Sequence, residues 1–120
     1  MNKLNELRRF FSTLGLMPSI TRAEGYYDIH KYFSKNPLPQ KASIGEFSDY
    51  SNGIIKKILS NLGNNNYTHL KYPEYDLLNL KNLSPKYDLF ILDQILEHLP
   101  NPFLAADNIL SHLRPNGIVI

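Results

Sequence analysis

The sequence predicts an α/β fold with a mostly parallel sheet, and two observations carry the prediction. Tyr87-Asp88-Leu89-Phe90-Ile91-Leu92 is a nearly continuous apolar run bounded by polar residues, the pattern of a strand buried on both faces. Other β-rich segments alternate along the chain with stretches whose apolar residues recur at three and four positions, the period of an amphipathic helix. Strands alternating with helices require right-handed crossovers between parallel strands. The 120 residues bury roughly two-thirds of the surface of the unfolded chain, the scale of one domain. No internal repeat or low-complexity linker divides them.

Met1 to Gly15 sets Leu4, Leu7, Phe10, Phe11 and Leu14 on one helical face beside Lys3, Arg8 and Arg9. A signal peptide needs an unbroken apolar region and a small-residue cleavage site, which this spacing lacks. Gly15 and Pro18 end that helix, and a second runs from Arg22 to about Ser34 with Tyr26, Tyr27, Ile29, Tyr32 and Phe33, stopped by Asn36-Pro37-Leu38-Pro39. Ala42 to Phe47 reads as a short strand with Gly45 inside it, running into the polar loop Ser48 to Asn52.

Ile54, Ile55, Ile58, Leu59 and Leu62 form the next helical stripe, with Asp49 or Ser51 as its N-cap and Gly63 closing it before Asn64-Asn65-Asn66. Tyr67 to Tyr72 is β-rich and broken by Pro73; Tyr75 to Leu80 reads equally as a further short strand or an extended loop. Asn101-Pro102 starts a helix, because asparagine caps free backbone N–H groups and proline at the first helical position loses none; Phe103, Leu104, Ile109, Leu110 and Leu113 supply its buried face. Arg114-Pro115-Asn116-Gly117 then turns the chain into Ile118-Val119-Ile120. The expected division is an N-terminal helical segment over 1–40 and a sheet domain over 41–120. A last strand only three residues long leaves one sheet edge open, so a truncated domain that self-associates through that edge is expected.

Composition narrows the functional classes. With 42% hydrophobic and 20% charged residues, the chain lies away from the signature of disorder. Thirteen basic against eleven acidic residues give a formal charge of +2, too small a field to argue for nucleic acid or an anionic membrane as partner. The absence of cysteine excludes disulfides and thiolate metal sites and fits a reducing compartment, with the cytosol as the expected location. No stretch approaches the roughly twenty apolar residues of a membrane span. His98 and His112 lack a helical His-x-x-x-His partner, so no metal site is expected.

Ligands of an open α/β sheet bind beyond the carboxyl ends of the strands, where strand order reverses. Two loops qualify. One follows Gly45, where a missing side chain lets a ligand approach backbone and the next helix offers free N–H groups; the other follows Leu92 and begins Asp93-Gln94.

Tyr87 to Pro102, with Leu96-Glu97-His98 inside it, and Leu110 to Ile120, with Leu113-Arg-Pro-Asn-Gly117, resemble the fourth-strand to fifth-strand segment of class I S-adenosylmethionine-dependent methyltransferases of the type 11 and type 12 group. That family shows an aspartate-led apolar strand, a Leu-Glu-His triplet, a proline-started helix and a Leu-Lys/Arg-Pro-Gly-Gly turn before the next strand. The resemblance covers about a third of the chain. It implies a Rossmann-like sheet with flanking helices, here incomplete at its C-terminal end, and S-adenosyl-L-methionine as cofactor. It also implies that Asp93 and Gln94 face the methionine part of the cofactor or the methyl-transfer channel.

Ala42 to Asp49 falls at the first motif of the family, so the resemblance assigns Gly45 and Glu46 to cofactor binding; Ser43 replaces the usual acid, while Phe47 and Asp49 take the later glycine positions. Lys71 stands near the point where the family places a ribose-binding acid, with Glu74 as its substitute if the loop turns back. Asp76-Leu77 resembles the adenine-contacting acid and its apolar neighbour, and Asp76 reads equally as a turn cap. Glu97 and His98 orient cofactor or substrate, or satisfy a helix end. Tyr26, Tyr27, His30 and Tyr32 cover the pocket or belong to the core. The resulting expectation is a methyltransferase-like protein acting on a small molecule or metabolite. The alternative is a non-catalytic binding or interaction module of the same fold, and a third reading is another nucleotide-binding α/β protein. No residue stands out as a general base.

Overall fold

A computed structural model describes residues 2–48, 53–81, 83 and 86–120. The fold is α/β and Rossmann-like, with a four-stranded, all-parallel sheet. The chain forms two compact units, Met1–Gln40 with Asn52–Asn65 and Lys41–Ser51 with Asn66–Ile120. Among the described residues no helix is long and apolar enough to cross a membrane.

The first unit is helical. Helix α1 spans Lys3–Leu14; Asn2 caps it by accepting a 2.9 Å hydrogen bond from the Asn5 amide, and Gly15 ends it in the left-handed region at φ 68°. Helix α2 spans Ile20–Lys35, beginning ahead of the Arg22 predicted from sequence. Leu7, Phe11 and Leu14 of α1 and Ala23, Tyr26 and Phe33 of α2 are buried, as the apolar spacing of both segments requires. Tyr26 is therefore a core residue, whereas Tyr32 is exposed. Tyr27 donates a 2.7 Å hydrogen bond to Glu6 and stacks near Phe10 and His30, and burial there pushes the His30 imidazole below its ordinary value. Helix α3 spans Ile54–Asn61 and buries Ile54, Ile55, Ile58 and Leu59. Its N-cap position is held by Gly53 at φ 75° with no side-chain cap; the two caps expected from sequence, Asp49 and Ser51, lie outside the described residues.

The second unit holds the sheet, in the order β2-β1-β3-β4. Strand β1 is Ile44–Phe47, β2 Tyr67–Leu70, β3 Tyr87–Ile91 and β4 Leu113–Val119. Every residue of β1 is buried, which fits its central place. Alternation sends Phe47, Leu70 and Phe90 to one face, where they form a core with Leu77, Leu83 and the Ala105 and Ile109 side chains of helix α4, Pro102–Ser111. Asn101 caps α4 as the sequence predicts, accepting a 3.1 Å hydrogen bond from the Leu104 amide, with Pro102 in the first turn. Of the five apolar residues assigned to the buried face of this helix, Ile109 is buried, while Phe103, Leu104 and Leu110 are exposed and Leu113 starts β4.

The structure settles one open reading and changes another. Tyr75 to Leu80 forms turns and loop, with Asn79 N donating to Asp76 O at 2.9 Å, and adds no strand. Arg114 to Gly117 does not separate a helix from a three-residue strand; it lies inside the seven-residue β4. The turn chemistry is absorbed as an irregularity in the β3–β4 register between Tyr87 and Leu89, with Asn116 at φ 65°. Pro115 is tolerated because β4 is an edge strand.

Candidate functional site

The step from β1 to β2 moves one way across the sheet, and the chain then returns past β1 to begin β3. Strand order therefore reverses between β1 and β3, and the crevice beyond their carboxyl ends is the position where open parallel sheets bind ligands. Glu46 is the Cα partner of both His69 on β2 and Ile91 on β3, so Glu46, Ser48, Leu92, Asp93 and Gln94 belong to the carboxyl-end region of adjacent strands.

Gly45 sits within β1 and is packed on all sides. A Cβ built there meets Leu70 Cδ1 at 2.8 Å, Tyr87 Cε1 at 3.1 Å and Phe90 Cδ1 at 3.2 Å. The space freed by its missing side chain is taken by core side chains, a packing reason for glycine that is independent of any ligand. Phe47, at the next glycine position of the resembled motif, is 1% exposed and belongs to the same core.

Glu46 faces the opposite side from Gly45 and Phe47 and is 4% exposed. Its Oε2 has no hydrogen-bond partner among the described residues. Two residues on, the Ser48 hydroxyl lies 2.8 Å from His69 Nε2, and the Ser48 carbonyl accepts from the same nitrogen at 3.0 Å. That carbonyl can only accept, so Nε2 carries the proton and the ring is fixed against the strand end. Sequence reading passed over this Ser48–His69 bond, since neither residue carries a motif; their places at the ends of two β-rich segments are the signal that was available.

At the end of β3, Leu92 N donates to Ile120 O at 2.7 Å and Ile120 N donates to Phe90 O at 2.9 Å, continuing the ladder beyond Val119. Asp93 is half-buried, and Gln94 is exposed with φ 56°, a left-handed conformation rare outside glycine, asparagine and aspartate. Leu96–His98 forms a single 3-10 turn; His98 Nε2 lies 3.8 Å from Glu97 Oε1, with both side chains more than half exposed.

Asp76 Oδ1 accepts a 2.9 Å hydrogen bond from Leu78 N, the turn-capping geometry that was one of its two readings. Leu77 is buried in the α4 core, and its carbonyl accepts from Asn108 Nδ2 at 2.8 Å. Lys71 and Glu74 are both exposed, in the turn closed by Tyr75 N donating to Lys71 O at 3.0 Å. Gly45, Glu46, Asp93 and Gln94 thus share two adjacent strands and their ends, while Asp76 and Leu77 sit in the loop after β2, tied to α4. Among the described residues no three His, Asp or Glu side chains converge as a metal site. Neither the family models nor the curated proteins compared with this chain match it.

Proposed function

We propose that the chain is a methyltransferase-like protein that binds S-adenosyl-L-methionine beyond the carboxyl ends of β1 and β3 and serves methyl transfer to a small molecule in the cytosol. The observation that carries this reading is that Glu46 and the strand leading into Asp93-Gln94 lie side by side at the switch point of a parallel sheet, two segments far apart in sequence. The charge fits. The cofactor has no phosphate to be cradled, and its ammonium and sulfonium are cationic, so acidic side chains suit it better than a nest of amides. Asp93 and Gln94 would hold the methionine part, and Leu77 would offer an apolar neighbour to the adenine. Methyl transfer from a sulfonium asks the protein to align the acceptor and exclude water, so a site without an assigned general base is compatible with it.

One observation favours a second reading, a non-catalytic module of the same fold. Phe47 packs in the core where the resembled family has glycine, so β1 continues through that position of the motif. Calorimetric titration with S-adenosylhomocysteine separates the two. A working site binds it, and Asp93→Ala weakens binding about tenfold or more; a folded chain that gives no heat supports the module.

A further inference from the structure

We infer that Glu46 is the anchor for a cationic N–H donor of the bound ligand, an ammonium group, and that the ligand-free fold is less stable for keeping it. This inference rests on the methyltransferase reading for the identity of the ligand, but not for its stability arm.

Glu46 lies in a strand whose other residues, Ile44, Gly45 and Phe47, are the buried small or apolar groups that a central parallel strand calls for. On its own face its Cα neighbour on β3 is Ile91, and Ile44 and Leu89 stand one pleat away; all three are fully buried aliphatics. Packing alone would select another aliphatic here. A carboxylate in that setting is costly unless its oxygens receive hydrogen bonds, because it loses water and, when ionised, can only accept. Its Oε2 receives none from the described residues, and its neighbour His69 commits Nε2 to Ser48. The other buried polar residue among those described, Asn64, shows the usual solution, donating to Pro39 O at 3.1 Å.

A buried acceptor without a donor, at the carboxyl end of the central strand and beside the switch point, has the character of one half of a charge-assisted pair. A protonated amine completes it best, supplying both the donor and the opposite charge.

The test uses the full chain and two adenosyl thioethers, S-adenosylhomocysteine, which carries the ammonium, and 5′-methylthioadenosine, which has neither ammonium nor carboxylate. Glu46→Gln should weaken S-adenosylhomocysteine about tenfold and leave 5′-methylthioadenosine within about twofold. Equal weakening of both would assign Glu46 to the nucleoside and overturn the ammonium assignment. In parallel, Glu46→Leu should raise the melting temperature of the ligand-free chain by roughly 2–5 °C, since it removes the unpartnered group at similar volume. A lower melting temperature would mean that Glu46 has a structural partner, and would overturn the inference whatever binds. Wild-type protein that binds neither thioether defeats the methyltransferase reading, and the melting experiment then decides the role of Glu46 alone.

Discussion

The two ends of the sheet treat their carboxylates in opposite ways. At the amino end of β3, Asp88 Oδ2 accepts from the Ser43 amide at 2.8 Å and from Arg114 Nη1 at 2.7 Å, tying together the chain entering β1, β3 and the start of β4. At the carboxyl end, Glu46 is more deeply buried than Asp88, yet its Oε2 has no donor among the described residues. The same contrast holds for backbone. Ser43 and Asp88 meet through ladder-like bonds, Asp88 N and Leu89 N both donating to Ser43 O, whereas the first turn after β3 holds Gln94 in the left-handed region. One end is satisfied internally and specifies how the strands align; the other keeps an unmet acceptor and a strained turn, features that persist at binding sites when the surrounding structure holds them.

The largest expected effect comes from a break between the two ends. Gly45→Val adds a Cβ that would lie 2.8 Å from Leu70 Cδ1, with two methyl groups beyond it, and should cost about 3 kcal/mol in chemical denaturation, through overpacking. This substitution damages the sheet as well as any ligand site, so a loss of binding in it would not speak for a glycine loop; unchanged stability would show that the core around Gly45 yields. Next, Asp88→Ala leaves the Ser43 amide and the Arg114 guanidinium without their acceptor. Because both side chains of the pair are partly exposed, a loss of about 1–2 kcal/mol is expected, with ligand affinity unchanged when measured on the folded fraction. A neutral result would remove the distinction between the ends. The smallest effect is at the turn after β3, where Gln94→Gly should stabilise by about 0.5–1 kcal/mol by relieving the left-handed conformation, while weakening any ligand the Gln94 side chain holds. If denaturation shows a loss instead, the turn carries no strain.

Where the physics is local, the sequence was readable. The buried run of β3 and the Asn101-Pro102 start of α4 carry their own evidence, because continuous apolar character and capping chemistry depend on near neighbours. Arg114 to Gly117 was misread as a turn for the same reason: Pro, Asn and Gly favour turns locally, but pairing with β3 extends the strand through them and leaves only a register shift. In the site, the Asx turn of Asp76 was visible from sequence as one of two readings, since it involves residues two apart. The packing around Gly45, the bond between Ser48 and His69 and the orphaned oxygen of Glu46 were not, because each depends on which strands lie side by side.

The strand order also governs how the molecule assembles. Gly45 aligns with Thr68 on one side and Phe90 on the other, and every neighbouring pair in the sheet is parallel, so no hairpin exists to nucleate it. Each ladder must close a long intervening segment before its hydrogen bonds return anything, which places folding on the slow side of the topological range. During synthesis β1 emerges well before β3, and until residues 87–91 arrive one edge of a strand built from Ile44 and Phe47 is bare. The arrangement that sets two distant segments on adjacent strands therefore also gives the nascent chain a period in which its central strand is open to the wrong partner.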